Sequence, residues 1–188
     1  MSDLTSVITS AVNNAVNATN NAVNSAINAA NNAINVGITQ LNAALTGPSE
    51  LNFAYGKVIL PAPVGPGVVI DMPSNTDSQL ALTNPAQFQG TINFNAVIPG
   101  VTPNGQSSLV ALIGVPADHW TYARGVLTLF AGSQVTDALK MTPSAAGFGV
   151  YAAPGSVGVG LPGGVVIASP GLTAVPAGVV PLPGTIGA

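Results

Sequence analysis

The sequence predicts an α+β protein in which one long N-terminal helix precedes an all-β, sandwich- or barrel-like domain with an extended C-terminal tail. Three observations support this fold class. Eleven-residue repeats without proline occupy the N-terminus, short β-branched runs separated by turn residues fill the middle, and Gly and Pro recur to the end. The predicted divisions are residues 1–47 for the helix, 48–142 for the β-rich domain and 143–188 for the tail.

The first predicted element is a helix from Asp3 to Thr46. Residues 11–43 contain three elevens, AVNNAVNATNN, AVNSAINAANN and AINVGITQLNA, in which the larger apolar side chains recur in steps of 4, 4 and 3. This spacing places them on one helix face, and an eleven-residue repeat is typical of a straight or slightly right-handed bundle. Gly47 and Pro48 supply the expected stop.

A helix of this composition needs a partner, because Asn is a weak helix former and no ion pair compensates for it. The Gly- and Pro-rich remainder offers no matching helix, so the segment predicts an oligomeric bundle, most naturally a homotrimer. Two alternatives stay open: a single helix lying on the β domain, and an amphipathic helix lying on lipid, although it lacks the Lys and Arg that meet headgroups. The predicted oligomer interface consists of Ile8, Val12, Val16, Val23, Ile27, Ile34, Ile38, Leu41 and Leu45.

The middle region reads as a succession of short strands. Apolar, β-branched runs bounded by turn residues recur about every ten residues, a spacing typical of sandwiches and barrels. The clearest unit is a hairpin in which Arg124-Gly125 joins two strands, with Trp120 and Leu127 on a packed side. The predicted strands are Lys57–Leu60, Val68–Ile70, Gln79–Leu82, Thr91–Ile98, Ser108–Ile113, His119–Tyr122, Val126–Phe130, Gly149–Tyr151 and Val165–Ala168.

The last predicted region, residues 143–188, combines two opposed features. Proline at positions 154, 162, 170, 176, 181 and 183 excludes a helix or a central strand over most of it. Val, Ile and Leu nevertheless recur at every second or third position. We therefore expect an extended tail that packs on its own domain or on a neighbouring subunit, with disorder as the alternative.

Charge is scarce and unevenly placed. Only 5% of the residues are charged, whereas an ordinary soluble domain has about a quarter. No charged residue lies between Asp3 and Glu50, or after Lys140. Nucleic-acid binding needs clustered Lys and Arg, so the composition excludes a basic nucleic-acid-binding protein. We expect the two uncharged segments to be buried against other copies of the chain.

Groups that could carry chemistry are few, and the chain has no cysteine. Asp118-His119 is the one acid and imidazole pair, but no G-x-S-x-G elbow accompanies it. Asp71–Asp77 groups oxygen ligands without the spacing of a calcium loop, and the Gly-rich stretch 155–164 lacks the Lys of a phosphate loop. The sequence therefore predicts no catalytic residue, no cofactor, no metal site and no enzyme activity.

The uncharged Ala, Asn and Val elevens, followed by a Gly/Pro-rich β domain with the hairpin DHWTYARGVLTLF, resemble trimeric fibre, spike and head-decoration proteins of bacteriophages. The resemblance implies a non-enzymatic virion accessory protein, a homotrimer with one end docked on other structural proteins of the particle. The alternative is an exported surface filament, surface-layer or biofilm-matrix subunit whose tail adds a strand to the next copy. A second alternative is a lipid- or interface-binding protein. We predict no secretory signal and no transmembrane segment.

Overall fold

The computed structural model describes residues 13–14, 38–41, 44–52, 54–102, 104–154, 163–169 and 178–187. The described chain is nearly all β and forms two mixed sheets. In chain order the strands are β1 Ile38–Gln40, β2 Ser49–Asn52, β3 Gly56–Leu60, β4 Val68–Asp71, β5 Ser78–Leu82, β6 Thr91–Asn93, β7 Leu109–Ile113, β8 His119–Ala123, β9 Val126–Ala131, β10 Gln134–Thr142, β11 Gly149–Ala153, β12 Gly164–Ala168, β13 Val180–Pro181 and β14 Gly184–Ile186. A 3-10 turn, Pro85–Gln87, precedes β6.

The first half of the chain winds back and forth between the two sheets. In sheet 1, β1, β3, β5 and β7 lie side by side and parallel, and in sheet 2 the intervening strands β2, β4 and β6 do the same. Isolated parallel bridges join Leu45 to Val64 and Val64 to Phe88, at one corner of each successive coil. Residues 38–113 therefore form a flattened parallel coil.

The second half completes both sheets with strands that pair mostly antiparallel, except that β10 pairs with β6 and β14 with β8 in parallel. The order in sheet 1 is β1-β3-β5-β7-β12-β11-β13, and in sheet 2 it is β14-β8-β9-β10-β6-β4-β2. The last strand of the coil in sheet 1, β7, pairs with β12, and the last one in sheet 2, β6, pairs with β10. The short strands β13 and β14 lie at the same end of the two sheets, opposite β1 and β2.

The core fills the space between the sheets. Alternate residues of each strand point inward, and the most deeply buried include Leu80 and Leu112 from sheet 1 and Ile70 and Leu129 from sheet 2. Each such side chain contributes roughly 1.5–3 kcal/mol to folding. A second, smaller apolar cluster of Ala81, Ala111, Ala153 and Val166 lies on the other face of sheet 1.

The predicted α+β class is wrong, and no coiled coil is supported. The described residues contain no helix of seven or more residues, and the last part of the predicted helix is β structure. Ile38–Gln40 pairs with β3, and Leu45 bridges Val64. The physical reason is that the parallel coil satisfies the backbone groups of these residues. Ile38 and Thr39 are β-branched and give this stretch little helix propensity with which to compete.

The hairpin prediction is confirmed. Strands β8 and β9 pair with Ala123 opposite Val126, and the two turn residues have φ of 52° at Arg124 and 79° at Gly125. Positive φ at both positions is the type I′ geometry that matches the twist of paired strands. Trp120 is buried on the predicted packed side, together with Leu127 and Leu129.

The longest strand, β10, has no counterpart among the predicted strands. Leu139 and Met141 alternate inward as in any half-buried strand, but Asp137 and Lys140 interrupt the apolar run. A bulge between Val135 and Asp137 also shifts the register against β9. Strand β6 is shorter than predicted because the chain turns after Asn93.

Candidate functional site

The predicted oligomer interface falls mostly outside the described residues; this applies to Ile8, Val12, Val16, Val23, Ile27 and Ile34. Ile38 begins β1 at the edge of sheet 1. Leu41 packs against the main core, and Leu45 is 2% exposed within it. The last two side chains therefore contact this chain's own core.

Asp118 and His119 form a hydrogen-bonded pair at the start of β8. His119 Nδ1 lies 2.5 Å from Asp118 Oδ1, and the backbone N–H of Gly132 donates to Asp118 Oδ2 at 2.6 Å. The Gly132 N–H, followed by His119, lowers the pKa of the Asp118 carboxyl. The imidazole stacks on Phe130 with ring centroids 4.8 Å apart. These contacts tie the two ends of the β8–β9 hairpin together.

The polar loop after β4 is a hydrogen-bonded turn. Buried Thr76 and Ser108 both donate to the carbonyl oxygen of Pro73, at 2.8 and 2.7 Å. Ser78 Oγ accepts the Tyr55 N–H and lies 2.8 Å from Thr76 Oγ1. Among the described residues no group of three or more acidic or imidazole side chains could hold a metal ion. The loop links successive coils of the sheets.

Among the acidic residues that the structure describes, Asp71 has the least exposed side chain, at 8%. Asn93 Nδ2, on the adjacent strand β6, donates to its Oδ1 at 2.7 Å. Burial raises the pKa of the Asp71 carboxyl, and nearby Glu50 raises it further, whereas the Asn93 hydrogen bond lowers it.

Residues Gly178–Gly187, which we call the C-terminal clasp, lie along the edges of both sheets. Its first strand, β13, pairs with β11 at the edge of sheet 1, and its second, β14, pairs in parallel with β8 at the edge of sheet 2. One short segment therefore bridges the same end of both sheets.

The clasp binds a cleft that we call the Trp120 cleft, formed by Trp120, Tyr122, Phe148 and Val150. The Phe148 ring lies 5.3 Å from the Trp120 ring and 5.2 Å from the Tyr122 ring, between centroids. Leu182 is partly buried and packs against the main core. The three aromatic rings therefore lie together beside the backbone of the clasp.

Four hydrogen bonds fix the backbone of the clasp in the Trp120 cleft. The Leu182 N–H donates to Val150 O at 2.9 Å, and the Gly187 N–H donates to Tyr122 O at 2.8 Å. Trp120 donates twice: its backbone N–H to Pro183 O and its indole Nε1 to Leu182 O, both at 3.1 Å. These bonds recognise backbone atoms and not side chains.

Glycine is required at position 184 because the indole ring of Trp120 lies directly over it. A Cβ at this position would meet Trp120 Cε2 at 2.0 Å, a distance that no real contact reaches. At Gly187 an added Cβ would meet Ala123 Cβ at 3.5 Å, an ordinary contact. The cleft therefore selects the Gly184 register of the clasp.

Most of the clasp surface faces solvent although it carries no charge. Val180 is 57% exposed and Ile186 is 65% exposed. An open groove of about 460 Å³ runs beside Val180, lined by small and apolar residues that include Val115, Pro116 and Ala152. This end of the molecule presents apolar, uncharged surface at the edges of both sheets.

The Pro-rich, uncharged sequence predicts an extended tail but does not reveal the residues that hold it. Gly184 looks like any other glycine of a Gly-rich tail, and its role depends on Trp120, which is distant in sequence. One signal was available: a buried Trp N–H needs an acceptor, and the uncharged Val-Pro-Leu-Pro run offers carbonyl groups that no helix uses.

Searches of protein-family models, curated proteins and solved structures found no match to this chain. Within the described residues, no helix has the length and apolarity needed to cross a bilayer.

Proposed function

We propose that the protein is a non-enzymatic structural subunit whose copies associate through the ends of their two sheets. The observation that carries the proposal is the C-terminal clasp: an uncharged segment at the edges of both sheets, with Val180 and Ile186 exposed. Strand edges with apolar, uncharged side chains are natural sites of strand addition. A soluble subunit that did not associate would be expected to carry charge there.

The preferred setting is an exported surface filament, surface layer or biofilm matrix. The two ends of the molecule differ, since β1 and β2 lie at one end and β13 and β14 at the other. Contacts between unlike surfaces generate rings or open filaments. This geometry supports an extended assembly built from repeated copies.

The second candidate is a virion accessory protein, a fibre, spike or capsid decoration. The observation in its favour is the β8–β9 hairpin, which the resemblance to phage proteins included and which the fold contains. A virion protein of this kind would form a closed homotrimer, whereas a matrix subunit would form open assemblies of indefinite mass.

Sedimentation velocity over a wide concentration range tests self-association. The double variant Val180→Ser/Ile186→Ser removes apolar surface from the clasp without touching its backbone hydrogen bonds. We expect it to weaken association by about 10-fold or more, since losing roughly 1.4 kcal/mol of apolar burial corresponds to that factor.

The matched control is Val97→Ser/Val135→Ser, which changes two exposed valines at 92% and 60% exposure that lie outside the clasp. This control should associate like the parent chain. A parent chain that sediments at 18.5 kDa at every concentration would overturn the proposed function. Negative-stain images separate filaments or sheets from closed trimers.

A further inference from the structure

We infer that the C-terminal clasp is an exchangeable strand, and that the Trp120 cleft of one copy accepts residues 178–187 of a second copy. This inference rests on the proposed self-association: the exchanged clasp links two copies, and its exposed Val180 and Ile186 side chains are then free to contact further copies. The occupant of the cleft is thus another molecule of the same chain, bound by the contacts that the clasp makes within one chain.

The clasp can be separated from the rest of the fold. It contributes the last strand at the edge of each sheet, so its departure leaves β11 and β8 paired to their remaining neighbours β12 and β9. Apart from Leu182 and Val179, its side chains are exposed. Local opening of such an edge needs far less free energy than global unfolding.

The cleft binds backbone atoms of the clasp and fits only the register that places Gly184 at Trp120. An identical segment from another copy therefore fits equally well. Leu182 supplies the apolar anchor, its carbonyl and that of Pro183 accept both Trp120 N–H groups, and Gly184 fits beneath the indole. An extended segment held by main-chain hydrogen bonds and one buried side chain is the usual mode of strand addition.

Charge also permits exchange. The chain has no charged residue after Lys140, so two copies can bring their tails together without electrostatic repulsion. Proline at 181 and 183 restricts further pairing along the outer edge of the clasp. Pairing is thereby directed to the cleft and not to indiscriminate edge-to-edge aggregation.

Cysteine cross-linking tests the exchange directly, because the natural chain has no cysteine. Thr121 of β8 and Thr185 of β14 are in register, and adjacent strands lie about 4.8 Å apart, within the range of a disulfide. One preparation carries Thr121→Cys, and a second, with a mass tag, carries Thr185→Cys. They are mixed, concentrated to promote association, diluted and oxidised in a glutathione buffer.

Exchange predicts a covalent heterodimer of one tagged and one untagged chain on a non-reducing gel. The matched control mixes Thr121→Cys with Thr128→Cys; these positions are also in register, but β8 and β9 belong to one hairpin that does not exchange. Each single variant oxidised alone measures chance homodimers. The double variant Thr121→Cys/Thr185→Cys in one chain measures whether the disulfide geometry is available.

The outcomes separate the two proposals. Heterodimer from the 121/185 mixture at several times the 121/128 level supports exchange. No excess, with an intrachain disulfide in the double variant, overturns exchange even if the parent chain assembles. No disulfide in the mixture or in the double variant also overturns it, because the clasp then does not lie where the inference requires. A parent chain that never associates in sedimentation overturns the proposed function.

Discussion

Strands β12 and β14 come from the same uncharged C-terminal stretch, yet they occupy opposite positions in the molecule. Val165, Val166 and Ile167 of β12 are at most 2% exposed, and the strand lies between two neighbours in sheet 1. Strand β14 is exposed throughout and lies at the edge of sheet 2. Similar composition therefore serves two purposes: burial within the chain for β12 and, as we propose, contact between chains for β14.

The difference shows that a lack of charge does not by itself identify an interface. Strand β12 lacks charge because both of its faces are covered, as in the strands of parallel sheets. Strand β14 has no such reason within one chain, so its apolar surface needs a different explanation. The predictions below test each side of this comparison.

The largest effect is expected in β12. Ile167→Ala removes a side chain that is 1% exposed and leaves a cavity, so the free energy of unfolding should fall by about 2–5 kcal/mol in urea denaturation. The matched change Ile186→Ala in β14 should alter the stability of the monomer by less than about 0.5 kcal/mol. Equal losses at the two positions would contradict the comparison.

The next effect is expected at the clasp. Gly184→Ala places a Cβ against the indole ring and should displace β14, while Gly187→Ala should be tolerated. Trp120 is the one tryptophan, so its emission reports the clasp directly. Emission should shift to longer wavelength in Gly184→Ala, as the indole is exposed to water, and stay unchanged in Gly187→Ala. A stability loss of roughly 1–3 kcal/mol should accompany the shift.

A smaller effect is expected at the wall of the Trp120 cleft. Tyr122 Oη donates to Met141 O at 3.0 Å, and Tyr122→Phe removes that hydrogen bond while keeping the ring against Phe148. Stability should fall by about 1 kcal/mol in urea denaturation. Trp120 emission should not change, since the hydroxyl donates its hydrogen bond to Met141 of β10. An emission shift as large as that of Gly184→Ala would contradict this prediction, because it would show that loss of the Tyr122 hydrogen bond displaces the clasp.

A further test concerns the ionisation of the buried Asp71 carboxyl. The pKa of Asp71 is raised above its ordinary 3.8, so the folded state binds the proton more tightly than the unfolded state. The contribution of this proton to the free energy of unfolding is fully present below pH 3.8 and is lost as pH rises through the raised pKa. Asp71→Asn keeps an acceptor for Asn93 and should therefore gain stability relative to the parent as pH rises from 3.8 to 7. Urea denaturation at several pH values measures this difference, and a gain confined to acid pH would contradict it.

Local chemistry explains what the sequence could predict. The β8–β9 hairpin was predictable because its turn, its alternation and its partner strand lie within a dozen residues. The strands around Val58, Ile70 and Leu80 were predictable because each is a short apolar run that ends near a turn residue: Pro61, Asp71 and Asn84. Each of these signals is contained in one short window of sequence.

Pairing between distant segments explains the failures. Ile38 looked helical because its spacing from other apolar residues fits a helix, whereas its partner Lys57 on β3 could not be identified from spacing. Strand β10 has Thr91 of β6 as a partner far along the chain. Gly184 acquires its role only from Trp120. In each case the deciding contact is non-local, so a periodic pattern in one segment cannot reveal it.

The most direct test of the account is amide hydrogen exchange of the monomer at low concentration. The amides of β12 and of Ser169, which donates to Ser108 O, should exchange only through global unfolding. The amides of Leu182 and Gly187 should exchange through local opening of the clasp, at a free energy several kcal/mol lower. Equal protection in β12 and in the clasp would show that the clasp does not open on its own, and would contradict the account of an exchangeable strand.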